Sequence, residues 1–298
     1  ACCLGGSDTP NLWYRRGPFV ASTIRTTRNH LSWAGDAGYV GPDTVGGLAR
    51  IWAFNIHGAK HMIRRIIHRV GLGIAREVRS RLQHTVTEAV TFHSSAGYRI
   101  AATLTRPAAE GCWPGIVIIP GGDDDRRFFD SQESPLHPSE LAALGVVVLT
   151  YDPSGRGESW GPEDYGGPEH QDNAAQAIRF LLTQSQVDTE HCGLIGISLG
   201  ISSAIGAARM LAESGHPVQW VLDWEGPCDQ ASITVNQTKN APAMGHKSSD
   251  RTYWAPREAL THMPHIQCGY LRLQAHPDHA QPDELDHALK MLNAASEA

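Results

Sequence analysis

The chain has 298 residues, 41% hydrophobic and 19% charged, a globular balance that excludes wholesale disorder and a disulfide-stapled miniprotein. Its net charge is -6, from 25 basic and 31 acidic side chains, which excludes the basic footprint of a nucleic-acid binder. The charge is unevenly spread: residues 1–82 hold 12 basic against 4 acidic groups, and residues 83–298 hold 13 against 27. That shift sets a domain boundary near residue 83, between an N-terminal extension, partly helical and basic, and a main domain over 83–298.

Residues 1–49 are rich in Gly, Pro and Thr without a sustained period, and read as loop or weakly ordered extension. The start, Ala1-Cys2-Cys3, lacks Met and an apolar targeting segment, as in a processed form or a fragment. Cys2 or Cys3 fits the remnant of a lipoprotein cleavage site; the default expectation is the cytoplasm. No CxxC or paired metal-ligand spacing occurs, so no metal site is expected. Residues 59–82 predict a helix, with Ile63, Ile66, Ile67, Val70 and Ile74 opposite Lys60, Arg64, Arg65 and Arg69. Charge complementarity favours packing of this helix on the acidic main domain over contact with a membrane surface. The longest uncharged run, Cys192 to Ala208, is short for a membrane span and dense in Gly and Ser; it reads as strand, turn and helix.

From residue 86 the period changes. Val86–His93 and Arg99–Arg106 predict a hairpin across Ser94-Ser95-Ala96-Gly97. Apolar runs at 116–119, 146–150, 194–197, 218–222 and 270–273 follow, separated by helical stripes such as Ala174, Ile178, Leu181, Leu182 and Ile201, Ala204, Ile205, Ala208, Leu211. Apolar strands alternating with amphipathic helices predict an α/β fold, a mainly parallel sheet covered by helices on both faces. Residues 228–264 are too long for a simple connection and predict a cap insertion, with Trp254 and Met263 shaping an acyl pocket.

Gly196-Ile197-Ser198-Leu199-Gly200 fits G-x-S-x-G, a strand-to-helix turn that presents a serine hydroxyl. Its glycines let strand and helix approach, and the N–H of Leu199 at a helix start can meet an oxyanion. Pro120-Gly121-Gly122 ends the strand expected beside this turn and is the candidate for a second oxyanion donor. In Tyr151-Asp152-Pro153-Ser154-Gly155-Arg156-Gly157-Glu158-Ser159, Asp152 and Arg156 are expected to fix the loop. The run Asp123-Asp124-Asp125 reads as solvated loop.

Asp278 follows the last apolar run and is the expected acid; Asp223, Glu225 and Asp229, after the preceding run, are the alternatives. A chain order of Ser, acid, His leaves His279 and His287 as bases. His279 adjoins the expected acid, which is poor geometry for bonding to it, so His287 is the expected base.

These motifs, in this order, give residues 86–298 a resemblance to the α/β-hydrolase superfamily, nearest its dienelactone-hydrolase-like and prolyl-oligopeptidase-like members. The resemblance implies an eight-stranded, mainly parallel sheet, no cofactor, and hydrolysis of an ester, thioester or amide of a small-molecule acyl substrate through an acyl-enzyme. In that family a further strand follows the acid's helix, with the histidine beyond it. Here the sequence stops at Ala298, so the expectations divide: a sequence lacking the last strand, an unconventional His287, or a non-catalytic ligand-binding homologue. A peptidase of the prolyl-oligopeptidase-like type is the further alternative.

Overall fold

The apolar runs of the sequence become the inner strands of one sheet. The computed structural model describes residues 84–297 apart from 132, 133, 135, 236–244, 276, 277 and 281–284, together with the backbone of 38–40 and 50–54. The chain start, the helix expected over 59–82 and the boundary near residue 83 lie outside the described residues. The strands are β1 (Gly38–Val40), β2 (Arg50–Phe54), β3 (Thr85–His93), β4 (Arg99–Pro107), β5 (Trp113–Ile119), β6 (Val147–Tyr151), β7 (Val187–Ile197), β8 (Trp220–Trp224) and β9 (Gly269–Ala275). The helices are α1 (Pro138–Ala143), α2 (Pro168–Leu182), α3 (Gly200–Glu213), α4 (Gln230–Thr234), α5 (Arg251–Trp254), α6 (Ala259–His262) and α7 (Asp286–Glu297).

The sheet order is β1-β2-β9-β8-β7-β5-β6-β4-β3. Strands β2, β9, β8, β7, β5 and β6 run parallel, and antiparallel pairs close both edges. The resemblance implied eight strands; the described residues form nine, seven of them from residue 85 onward. The pair β1 and β2 falls before the charge boundary, and β1 lies in a stretch expected to be loop. It is too short to display a period, and its partner strand is supplied only by folding.

Successive residues of the central strands serve opposite faces, as the pleat requires. Val117, Ile119, Leu149 and Leu194 pack with Ile178 and Leu181 of α2, Ile201, Ile205 and Leu211 of α3, and Met291 of α7. Ile116, Ile118, Val148 and Ile195 pack on the other side, with Phe129 and Leu136. A strand buried on both faces shows no alternation, which is why these segments read as unbroken apolar runs.

One polar line crosses this interior. Asp223 of β8 and Arg272 of β9 are register partners, both side chains fully buried, with Nη1 to Oδ2 at 2.5 Å. Asp223 also accepts the Tyr270 hydroxyl and the Gly226 N–H, while the Arg272 Nε and Nη2 donate to Gln274 Oε1. Removing one member strands the other as a buried unpaired charge. Arg272→Met should therefore lower the unfolding free energy by about 3–5 kcal/mol. In urea titrations Asp223→Leu/Arg272→Met should recover most of that loss, because no lone charge then remains buried.

Candidate active site

Strands β7 and β8 are parallel neighbours, and Ile197, the last residue of β7, is paired with Trp224, the last of β8. The next residue on each is Ser198 and Glu225. Both hold left-handed backbone, φ 49° for Ser198 and 52° for Glu225, a conformation that is strained for side chains of their kind. Such strain persists only where the surroundings over-determine it. The Ser198 N–H is held by the Trp224 carbonyl at 2.9 Å, and the Glu225 N–H by the Leu273 carbonyl at 3.0 Å.

The glycines around Ser198 make its turn possible. A Cβ on Gly200 would stand 2.6 Å from the Pro120 carbonyl oxygen, and one on Gly196 2.7 Å from Cα of Ile201. The elbow therefore presses on the turn after β5, where a Cβ on Gly121 would meet Ser198 Cβ at 2.9 Å. Gly122, with φ 46°, completes that turn. The N–H groups of Leu199 and Gly122 make no hydrogen bond to another described residue, and Leu199 caps the N-terminus of α3. Both are thereby available to a developing negative charge, with the helix dipole behind Leu199.

The imidazole on Ser198 is that of His279, beyond the end of β9: Nε2 lies 3.0 Å from Oγ. His279 Nδ1 lies 2.7 Å from Glu225 Oε2, and Glu225 Oε1 accepts the Ala275 N–H at 2.8 Å. Three adjacent strands thus deliver hydroxyl, carboxylate and imidazole to one edge of the sheet. The hydrogen bond that His279 donates to Glu225 raises the His279 pKa above its usual value; burial opposes the rise, and the charge of Asp278 adds to it.

Asp278, the acid expected from spacing, stands second to Glu225. Its Oδ1 is 3.4 Å from His279 Nδ1, beyond Glu225's contact, and accepts the Ala280 N–H at 2.7 Å, while Oδ2 accepts Gln274 Nε2 at 2.6 Å. The expected base needs correction. His287, near the start of α7, is 2% exposed with Nε2 3.3 Å from Asp278 Oδ2, and neither ring nitrogen makes a hydrogen bond to a described residue. Adjacency to Asp278 counted against His279 only while Asp278 was the required partner. The carboxylate on its Nδ1 comes from another strand, so the objection falls. Glu225 was among the alternative acids after the run 218–222, but only the observed end of β8 at Trp224 puts it in the place Ser198 holds after β7.

Glu225, Asp278 and His279 bring one ligand atom each within 4.8 Å of one another. Their oxygens accept from the Ala275 and Ala280 N–H groups and from Gln274, and Glu225 Oε2 lies on the imidazole, a hydrogen-bonded relay.

Around the serine, Leu199 packs with Tyr165, Ile233 and fully buried Trp254. Arg257 ties the Trp254 segment to the loop before α2, bonding the Asp164 carboxylate and lying 3.8 Å over the Tyr253 ring. Met263, expected in the cap, is instead buried in the main core with Ala259 and Ile266, because the chain from α6 onward returns to the sheet. Asp123 and Asp124 are exposed, while Asp125 accepts the Arg127 N–H at 2.9 Å to cap the 3-10 turn Arg126–Asp130. Among the described residues no helix is long and apolar enough to cross a membrane.

Parts of the chain are similar to known proteins. The family described as X-Pro dipeptidyl-peptidase (S15 family) matches residues 96–217. Uncharacterized protein PA2218 of Pseudomonas aeruginosa is 35% identical over 112 residues, 36% of this chain and 29% of that protein. Thiohydrolase apmlB of Arthrinium phaeospermum is 31% identical over 131 residues, 42% of this chain and 39% of that protein. The chain thus spans well under half the length of these curated relatives. Among solved structures, Pyrococcus horikoshii acylaminoacyl peptidase superposes with a TM-score of 0.54 at 16% identity, over 73% of this chain and 36% of that one. Porphyromonas gingivalis dipeptidyl peptidase 4 does so with a TM-score of 0.54 at 16% identity, over 72% and 31%.

Proposed function

We propose that this chain, whose fold superposes on those two peptidases and whose residues 96–217 match the S15 family, is a serine hydrolase of the α/β-hydrolase superfamily cleaving a carboxylic ester or thioester through an acyl-enzyme on Ser198. His279 Nε2 takes the Oγ proton as the hydroxyl attacks the carbonyl, and Glu225 holds Nδ1–H and balances the imidazolium that forms. The N–H groups of Leu199 and of the Gly121–Gly122 turn receive the oxyanion. His279 then returns the proton to the leaving group and activates the water that frees the acid. Ile233, Tyr253 and Trp254, which pack with Leu199, act as the cap over the acyl group.

The observation that carries this reading is the continuous contact from Ser198 Oγ to His279 Nε2, 3.0 Å, and from Nδ1 to Glu225, 2.7 Å. Strain at two successive strand ends supports it, since such backbone persists where a side chain must be aimed. Similarity to a thiohydrolase supports thioesters within the class. The S15 match supports a second reading, a peptidase releasing X-Pro dipeptides.

A fluorophosphonate probe tests the chemistry. Wild-type protein should gain the probe's mass at Ser198 and Ser198→Ala should not; folded wild-type protein without label would sink the reading and leave a ligand-binding homologue. Rates on a p-nitrophenyl ester, an acyl thioester and Ala-Pro-p-nitroanilide then separate the substrate classes.

A further inference from the structure

The loop between β6 and α2 carries more buried charge than a surface connection needs. Arg156 is 7% exposed, and its guanidinium forks onto Glu163, Nε to Oε2 at 2.7 Å and Nη2 to Oε1 at 2.8 Å. The fork leaves Nη1 to donate to the carbonyl of Asp124 at 3.2 Å. The Asp124 N–H in turn donates to the Gly121 carbonyl at 3.0 Å, closing the turn that contains Gly121 and Gly122. A second tie runs the other way. Arg126, just past that turn, donates its backbone N–H to Asp152 Oδ1 at 3.0 Å, and its side chain bonds the Asp152 carboxylate and Glu158.

Behind the turn lies a cavity of about 10 Å³, bordered by Gly122, Leu199, Arg156, His170 and Ser203 and sized for one oxygen atom. His170 is spoken for: its Nδ1 accepts the Gly166 N–H at 3.1 Å, and its Nε2 lies 2.9 Å from the Ser154 carbonyl and 3.3 Å from the Asp164 nitrogen. Burial, and then the charge of Arg156, hold His170 below its usual pKa. Arg156 is the cation that borders the cavity.

Preorganised donors act only if they are already where charge will develop, and a displacement of about 1 Å costs on the order of a hundredfold. A turn built on Gly121 and Gly122, with left-handed backbone at Gly122, has little stiffness of its own. We propose that Arg156, braced by Glu163, is a positioning residue for the reaction: its bond to the Asp124 carbonyl holds the Gly121–Gly122 turn at the depth where its N–H groups meet the oxyanion. This rests on the serine-hydrolase reading and adds to it the task of the Arg156 loop.

The test compares Arg156→Lys, Arg156→Gln and Glu163→Gln with wild type, using the best ester or thioester and a trifluoromethyl ketone that forms a tetrahedral adduct on Ser198. Lysine keeps the charge without the fork. Arg156→Gln should lower kcat roughly 10- to 100-fold with KM within about threefold, and Arg156→Lys should lose less. Glu163→Gln leaves the guanidinium present but unbraced, serves if Arg156→Gln does not fold, and should fall between them. Affinity for the ketone should weaken in parallel with kcat. Unchanged kcat and ketone affinity would overturn the proposal. So would joint loss of kcat, KM and thermal midpoint, the mark of a structural role. A wild type that takes no fluorophosphonate label would remove the underlying reading as well, and labelling thus tells the two failures apart.

Discussion

Replacing His279 with alanine should lower kcat by roughly 10⁴- to 10⁶-fold, the loss that follows when a serine nucleophile is deprived of its base. The prediction follows from contact. His279 Nε2 sits 3.0 Å from Ser198 Oγ, within reach of the proton that must leave. His287→Asn, by contrast, should leave kcat within about tenfold, since that ring is buried against Asp278 and hydrogen-bonds to no described residue. Its cost belongs to folding, because α7 buries His287 together with Ala288 and Met291. Steady-state rates and urea midpoints on the two variants separate these outcomes. Activity that survives His279→Ala and vanishes in a folded His287→Asn would reverse the assignment.

Glu225→Gln should cost roughly 10³- to 10⁴-fold in kcat, and the reason is a tautomer. The Ala275 N–H already donates to one side of this carboxylate, so a glutamine there would keep its oxygen on Ala275 and turn its NH2 to His279. The imidazole would then accept at Nδ1 and carry its proton on Nε2, where it cannot take one from Ser198. Asp278→Asn should cost about tenfold or less, because the nearer Asp278 oxygen is 3.4 Å from Nδ1 and contributes charge rather than the hydrogen bond.

The pH profile gives an independent reading. The base works as neutral imidazole, so activity rises as pH climbs through the His279 pKa. Glu225 first, and then Asp278 against the opposing effect of burial, raise that pKa above 6.5. The acid limb of kcat/KM should therefore lie above that value in wild type and move to lower pH in Asp278→Asn. The linked stability has the opposite sense. A raised folded-state pKa stabilises the protonated form, so this contribution is complete below about 6.5 and fades as pH rises through the folded value. An acid limb unmoved by Asp278→Asn, with activity surviving Glu225→Gln, would contradict this account of the pair.

Much of this was local and therefore legible in the chain. Apolar runs at 116–119, 146–150 and 194–197 announced inner strands, since burial on both faces favours apolar residues along the whole strand, and 270–273 did so despite Arg272, which the fold pairs with Asp223. Ser198 announced itself because a strand-to-helix turn this tight admits only glycine at 196 and 200, where any Cβ would strike backbone. The elbow's chemistry is written in steric terms that one short stretch of sequence contains.

Choosing its partners required the fold. Which carboxylate reaches the imidazole depends on the register of β7 against β8, which sets Ile197 beside Trp224 and so Ser198 beside Glu225. No spacing along the chain encodes that register, and spacing alone favoured Asp278 and His287. The task of Arg156 is likewise tertiary, since its guanidinium acts on a carbonyl 32 positions away in the sequence. Sequence determines which segments become strands and where a turn must be tight, because those are matters of local sterics and burial. Long-range pairing determines which charge faces which ring, because hydrogen bonds decay over a few ångströms and only packing of the sheet brings these groups that close.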